Sequence, residues 1–290
     1  MGRAAAIPSR HFRIHSACVN LLLMKMLACV AMLLAASVSS AQEAIPANAR
    51  LVSFDGPSGT LRGYFYVPDG KGPFPAVLWN HGSEKLPGSQ PELAAFYTSH
   101  GLVFFLPHRS GQGKSPGNYI MEEIQGSRSG PAAVQAQQVA NDDVAAAMTW
   151  LRAQKQVDTN RIAVSGCSFG GIQTLLAAEK GLGARAFIAF APAAKSWGNE
   201  TLQARLEKAV QNAKGPVFVL QAKNDFSVGP TNDLGKIAKS NGGQAEIYPA
   251  FGSSPQDGHW AFATSKAGIE VWQKDVLDFI HAAFEKPIKP

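Results

Sequence analysis

The chain has 290 residues, 46% of them hydrophobic and 17% charged, with 28 Gly and 18 Pro. That composition belongs to globular proteins and excludes disordered, collagenous and coiled-coil chains. Three cysteines cannot build a disulfide scaffold or a four-cysteine zinc site. The formal charge of +6 is concentrated at one end, because residues 1–41 hold Arg3, Arg10, Arg13 and Lys25 and no acid. Residues 42–290 keep 23 basic against 21 acidic side chains, scattered along the chain, so no electrostatic footprint for nucleic acid remains.

The N-terminal segment reads as an address. An apolar run from Leu27 to Ala36 is followed by Ser37-Val38-Ser39-Ser40-Ala41, whose small residues suit a signal-peptidase site before Gln42. A spanning helix needs about 20 apolar residues. Extending the run backwards to that length would bury Lys25, at about 2.5–3.5 kcal/mol near the bilayer centre. The expectation is therefore an export signal over residues 1–41, a periplasmic or secreted product, and no stable membrane insertion after cleavage. An uncleaved anchor is the alternative. Met24-Lys25-Met26 has the form of a signal-peptide start, which would make the first 23 residues an over-long translation start. Cys18 and Cys29 leave with the signal, and Cys167 is then the one cysteine of the mature chain.

Residues 42–290 are expected to form one α/β domain. Arg50 to Asp55 and Leu61 to Val67 read as an antiparallel pair around Gly56-Pro57-Ser58-Gly59. Short buried strands follow at Ala76–Trp79, Val103–Leu106, Ile162–Ser165, Ala186–Phe190, Val217–Gln221 and Glu246–Tyr248. Helices are predicted over Glu92–Ser99, Ala132–Gln154, Gly170–Glu179, Thr201–Gln211, Asp233–Ser240 and Gly268–Phe284. Alternation of this kind implies a mostly parallel, doubly wound sheet of about eight strands with helices on both faces.

Gly166-Cys167-Ser168-Phe169-Gly170 lies between a predicted strand and a predicted helix. In that setting G-x-S-x-G is a nucleophile elbow, where tight backbone geometry excludes side chains at the flanking positions. A serine hydroxyl needs a base to take its proton and an acid to orient the base. Hydrolases with this elbow place the partners in the chain order Ser, acid, His. His259, in the loop after the last strand, is the expected base. His81 and His108 precede the elbow, His100 ends a helix and His281 sits in the last one. Asp225, just past the strand Val217–Gln221, is the expected acid. Asp233 is its rival within a helix's first turn, and Asp257 reads as a loop-stabilising turn residue. The tetrahedral oxyanion needs preplaced donors. The backbone N–H of Phe169 is one, and the N–H of Ser83, in Asn80-His81-Gly82-Ser83-Glu84, is the other, with the neighbouring register as alternative. Gly113-Lys114-Ser115 imitates a phosphate-binding loop but lacks its upstream Gly, since His108 stands there. Cys167 is expected to pack beside Ser168. No cofactor is called for, and no His-Glu-x-x-His metal motif is visible.

These motifs resemble the dienelactone hydrolase-like branch of the α/β-hydrolase superfamily, related to the catalytic domain of prolyl oligopeptidases. Arg109-Ser110-Gly111-Gln112-Gly113-Lys114-Ser115 resembles the family's Arg-x-Gly-x-Gly-x-Ser loop, and Asp143 to Ile162 resembles its approach to the nucleophile strand. Tyr248-Pro249 and Asp257-Gly258-His259 match as well. Dienelactone hydrolases proper carry cysteine at the elbow centre, where this chain has Ser168. The resemblance implies an α/β-hydrolase fold and an exported serine hydrolase for small-molecule esters or lactones, with peptidase or acyltransferase chemistry as the alternative and a non-catalytic binding protein as the rival. Only Ala191 to Gly215 and the loop Gln112 to Gly130 are expected to cover the pocket. N-terminal sequencing of the exported protein is expected to begin at Gln42; a mature chain that retains Lys25 would overturn the cleavage site.

Overall fold

The computed structural model describes Gly2 and residues 48–124 and 130–287. Apart from Gly2, the expected export signal, Cys18 and Cys29 lie outside the described residues, as do residues 125–129. The chain between Gly56 and Gly59 turns through Pro57 and Ser58 and pairs β1 (Ala49–Gly56) with β2 (Gly59–Tyr66) as an antiparallel hairpin. There follow β3 (Phe74–Asn80), α1 (Pro91–Ser99), β4 (Val103–His108), α2 (Ile120–Glu123), α3 (Gly130–Arg152) and β5 (Val157–Cys167). The rest comprises α4 (Phe169–Lys180), β6 (Ala186–Phe190), α5 (Glu200–Gln211), β7 (Val217–Ala222), α6 (Gly229–Ser240) and β8 (Gln244–Tyr248), then α7 (Phe262–Thr264) and α8 (Lys266–Glu285). A 3-10 turn at Ala194–Ser196 and a π-helical turn at Asp257–Ala261 complete the order.

All eight strands join one sheet in the order β1-β2-β4-β3-β5-β6-β7-β8, parallel throughout except for the pairings of β2. The inner strands β4, β6 and β7 are buried along their whole length, which explains their unbroken runs of Val, Ile, Phe and Leu. Their side chains alternate between two cores. Leu78, Val164, Phe187 and Val219 face the core shared with α3, α4, α5 and α6. Val77, Ala163, Ile188 and Phe218 face the opposite core, shared with α1 and α8. Burying both faces this way supplies the main stabilisation, because apolar area leaves water on each side of one sheet.

Helix ends follow local chemistry. The side chain of Asn199 accepts from the Thr201 and Leu202 N–H groups to start α5, and Ser265 accepts from the Gly268 N–H to start α8. The differences from the sequence reading lie at polar borders. β5 begins at Val157, five residues before the predicted Ile162, because Val157 already pairs with Phe74 of β3; the polar stretch Asp158-Thr159-Asn160-Arg161 bulges out before the pairing resumes at Ala76 and Ile162. α6 begins at Gly229, with Pro230 in the first turn, a position where proline's missing N–H costs nothing. β8 begins at Gln244 as an edge strand with mixed exposure. The four-residue α2 had no periodic signal.

The strand order reverses at β3, whose neighbours are β4 and β5. In open α/β sheets the crevice outside the carboxyl ends of the strands at such a switch point is where ligands bind. The second core holds this end of the sheet through Trp272, which is fully buried. Its Nε1–H donates to Phe262 O at 2.8 Å, and its ring packs edge-on against Phe190 and Phe96 at 4.9 and 5.3 Å. Trp272→Ala is expected to lower unfolding free energy by roughly 3–5 kcal/mol, read from the shift in urea midpoint. A loss below about 1 kcal/mol would show that the site collapses around the smaller side chain.

Candidate active site

Ser168 alone makes the turn between β5 and α4, with φ 61° and ψ −118°, a conformation that costs a non-glycine residue of order 1–3 kcal/mol. Its N–H donates to Phe190 O at 3.0 Å, tying the turn to the end of β6. The flanking glycines are needed sterically. A Cβ on Gly170 would stand 1.9 Å from Asn80 O, and one on Gly166 would stand 2.6 Å from the same atom. Backbone therefore packs directly on backbone, and the loop after β3 is set beside Ser168.

Asp225 lies three residues past β7, and its Oδ1 accepts from the Phe226 N–H at 2.6 Å. His259 sits in the π-helical turn and is buried. Its Nδ1 is 2.8 Å from Asp225 Oδ1 and 3.0 Å from Oδ2. An Nδ1–H that donates to a carboxylate leaves Nε2 as the acceptor. Nε2 is buried and has no hydrogen-bond partner among the described residues. His259 and the half-buried Ser168 line the same cavity, of about 490 Å³. Burial pushes the Asp225 carboxyl up, and the His259 hydrogen bond pulls it back. Asn224 clamps the two loops together: its Nδ2 donates to Phe251 O and Ser254 O at 2.9 and 3.0 Å, and its Oδ1 accepts from the Phe251 N–H at 2.8 Å. Asn224 has no motif to announce it.

The loop after β3 is fixed from behind by the Arg109 segment. Arg109 is buried, and its Nη2 donates to Gly82 O, while its Nε donates to Gln112 Oε1 at 3.2 Å. His81 accepts at Nε2 from the Arg109 N–H at 3.3 Å, and its Nδ1 lies 3.0 Å from Gly82 O and 2.9 Å from Arg109 Nη2. Gly82 C=O and Ser83 N–H belong to one peptide unit, so the Arg109 donor sets the direction of the Ser83 N–H. Tyr119 Oη donates to Ser83 O. The Arg109 guanidinium also lies 4.9 Å over the Phe169 ring. As first residue of α4, Phe169 has an N–H with no partner in the preceding turn of its helix. The structure thus brings Ser168, Ser83, Phe169, His259 and Asp225 to the carboxyl ends of β3, β5 and β7.

The remaining candidates are placed elsewhere. Asp233 accepts from Trp197 Nε1–H at 3.0 Å. Asp257 accepts from the Ser253 and Ser254 N–H groups, both at 3.0 Å, as a turn residue does. His108 accepts from the Lys114 N–H at 2.9 Å, and Ser115 Oγ donates to His108 O at 2.6 Å, so Gly113-Lys114-Ser115 is a loop turn. His100 closes α1 against Phe96 O at 2.8 Å. Cys167 is buried, its thiol donates to His259 O at 3.5 Å, and burial pushes its pKa well up, which disfavours the thiolate. Among the described residues no group of three or more His, Cys, Asp or Glu is placed to hold a metal ion.

Cavity residues that sequence reasoning passed over are Glu84, Tyr119, Lys195, Gln256 and Trp260. Lys195 and Trp260 stand in single 3-10 and π-helical turns and Glu84 and Tyr119 in loops, all too short to carry a repeating pattern. Lys195 comes from the expected cover segment after β6, and Met121 and Ile124 from the other one. Helix α5 instead packs its Leu202, Leu206, Ala209 and Val210 into the core. Burial raises the Glu84 carboxyl, with Gly82 N–H and Arg109 opposing. Folded protein therefore binds the Glu84 proton more tightly than the unfolded chain does, so stability falls as pH rises from the ordinary carboxylate value through the raised one. Urea midpoints measured from about pH 4 to about pH 7 are expected to decline less steeply in Glu84→Gln. An identical slope in both proteins would remove Glu84 as its source.

Comparison with known proteins agrees with this architecture. The model of the X-Pro dipeptidyl-peptidase family, S15, matches residues 56–266. No curated protein matches the sequence. Among solved structures, DcsB in complex with its substrate analogue is 16% identical, with a TM-score of 0.60, over 81% of this chain and 99% of DcsB. The acylaminoacyl peptidase of Pyrococcus horikoshii is 16% identical, with a TM-score of 0.61; the alignment covers 83% of this chain but 42% of that one. The Pyrococcus furiosus esterase Pf2001 is 15% identical, with a TM-score of 0.59, over 81% and 91% of the two chains. These likenesses establish the α/β-hydrolase fold. With more than two thirds of its length matched, the chain belongs to the X-Pro dipeptidyl-peptidase (S15) family and is a serine hydrolase.

Proposed function

We propose that the protein cleaves carboxylic esters or lactones through an acyl-enzyme on Ser168, as in the dienelactone hydrolase-like branch, and that it is exported by its N-terminal signal. The observation that carries the chemistry is the unpartnered Nε2 of His259, set as an acceptor by Asp225, in a cavity shared with Ser168. Ser168 Oγ attacks the carbonyl carbon as His259 takes its proton. The Ser83 and Phe169 N–H groups receive the oxyanion, and Asp225 holds the imidazolium. His259 then passes the proton to the leaving oxygen, and water, activated by the same imidazole, releases the acid. The Ser168–His259 hydrogen bond tightens as substrate binds.

The family match favours a second reading, cleavage of a peptide bond by the same residues. Fluorophosphonate labelling with peptide mapping is expected to modify Ser168. Ser168→Ala and His259→Ala are each expected to lower kcat for p-nitrophenyl acetate by roughly 10⁴-fold or more. Activity on an Xaa-Pro p-nitroanilide with none on esters would select the peptidase. Unlabelled Ser168 in folded protein would overturn both.

A further inference from the structure

Two cavities meet at Ser168, and they differ in size and chemistry. One, of about 490 Å³, contains His259. The other, of about 30 Å³, is lined mainly by Phe169, Ile172, Ala193, Met121 and Ile124, with Gln137 and Ser196 at its polar side, but not by His259. Ser168, Ser83 and Lys195 line both. Once Oγ has bonded to the carbonyl carbon, three directions remain: the oxyanion, the leaving oxygen and the acyl substituent. The leaving oxygen must come within hydrogen-bond reach of His259 Nε2 to be protonated. The leaving group is therefore directed into the large cavity, and the acyl substituent into the small one.

The small cavity, about 30 Å³ against about 490 Å³ for its neighbour, is only a little above the roughly 10–15 Å³ that admits a single water, so it takes a methyl-sized group. Its inner wall is core: Phe169, Ile172 and Ala193 are buried, and Ile172 packs within the cluster around α4. Such a wall yields little, because interiors are close-packed. The large cavity carries the polar side chains of Glu84, Gln90, Tyr119, Lys195 and Gln256, with Leu86, Pro87 and Trp260 completing its wall. Lys195 Nζ donates to Gln256 Oε1 at 3.2 Å and lies 4.4 Å over the Phe226 ring, which places this polar side at the mouth. Donors and acceptors beside an indole suit an alcohol that carries several hydroxyls on a compact carbon frame. An apolar alcohol would strip water from these groups and return no hydrogen bonds.

Resting on the acyl-enzyme reading, we infer that the substrate is an acetyl-sized ester of a large polyhydroxylated alcohol, such as an O-acetylated sugar. The Ser168 Oγ–acyl bond forms as the ester C–O bond breaks, and the alcohol leaves with the proton from His259. Water then hydrolyses acetyl-Ser168 to acetate.

The test compares kcat/KM for p-nitrophenyl acetate, butyrate and octanoate in the wild type, Ser168→Ala, Ile172→Val and Ile172→Ala, together with acetate release from glucose pentaacetate and from ethyl acetate. Wild type is expected to lose about 10-fold or more from acetate to butyrate and more again to octanoate. Shortening Ile172 is expected to raise the butyrate-to-acetate ratio several-fold, an effect that partial unfolding, which scales both substrates together, does not produce. The sugar acetate is expected to exceed ethyl acetate by about 10-fold or more. Octanoate turnover equal to acetate overturns the acyl assignment, and parity of the sugar acetate with ethyl acetate overturns the leaving-group assignment; neither touches the acyl-enzyme reading. That reading falls instead if no ester is turned over in a Ser168-dependent way.

Discussion

Where β3 and β5 end side by side, the backbone at Asn80 passes so close to the turn around Ser168 that Gly166 and Gly170 have no room for a Cβ. This contact sets everything downstream. It holds Ser168 in its strained conformation, it fixes where the loop after β3 leaves the sheet, and it brings the Ser83 peptide and the first turn of α4 to the same point. Strain of this kind persists only when surrounding structure over-determines it. Here the sheet on both sides and the buried α4 behind supply that rigidity.

A buried cation stands next to this contact. Arg109 is pushed down to about 10 by desolvation, with Glu84 and Asp143 opposing. Leaving such a charge without partners would be strongly destabilising. The chain answers with the Gly82 carbonyl, the Gln112 side chain and the face of Phe169. Asp143 accepts from the Ser110 N–H at 2.8 Å and so holds the Arg109 segment from α3. The carbonyl that accepts from the guanidinium belongs to the Gly82–Ser83 peptide, so compensation for a buried charge also fixes the orientation of that peptide. Glu84 sits between this cluster and His259, which is why its own carboxyl is raised by burial yet pulled back by Arg109 and His259.

The acid–base pair shows the same economy. Asn224 pins the loop of Phe251 and Ser254 against the residue before Asp225, and Gly258 lets that loop close, since a Cβ there would meet Asn224 Oδ1 at 2.5 Å. The Cys167 thiol backs the His259 carbonyl from inside the sheet. The imidazole is thus located by backbone contacts on two sides before its ring hydrogen bond to Asp225 is counted.

Local pattern alone carried the strand and helix alternation, the glycine-flanked serine and the order of Ser168, Asp225 and His259 along the chain. Each shows in a short stretch of residues: unbroken apolar runs in β3 to β7, glycines at 166 and 170 around a serine, and a carboxylate or imidazole past a strand. Polar borders were illegible because pairing at Val157 and Gln244 is imposed by a partner strand, while the adjoining side chains, such as Asp158 to Arg161, show no pattern. Only the tertiary structure decided that Arg109 props the Gly82 carbonyl, that Asn224 clamps a loop 27 residues away, and that Glu84, Lys195 and Trp260 share one cavity with Ser168. Those relations join segments far apart in the chain. Their distances are set by how helices stack on a twisted sheet, and no single stretch of residues encodes that packing.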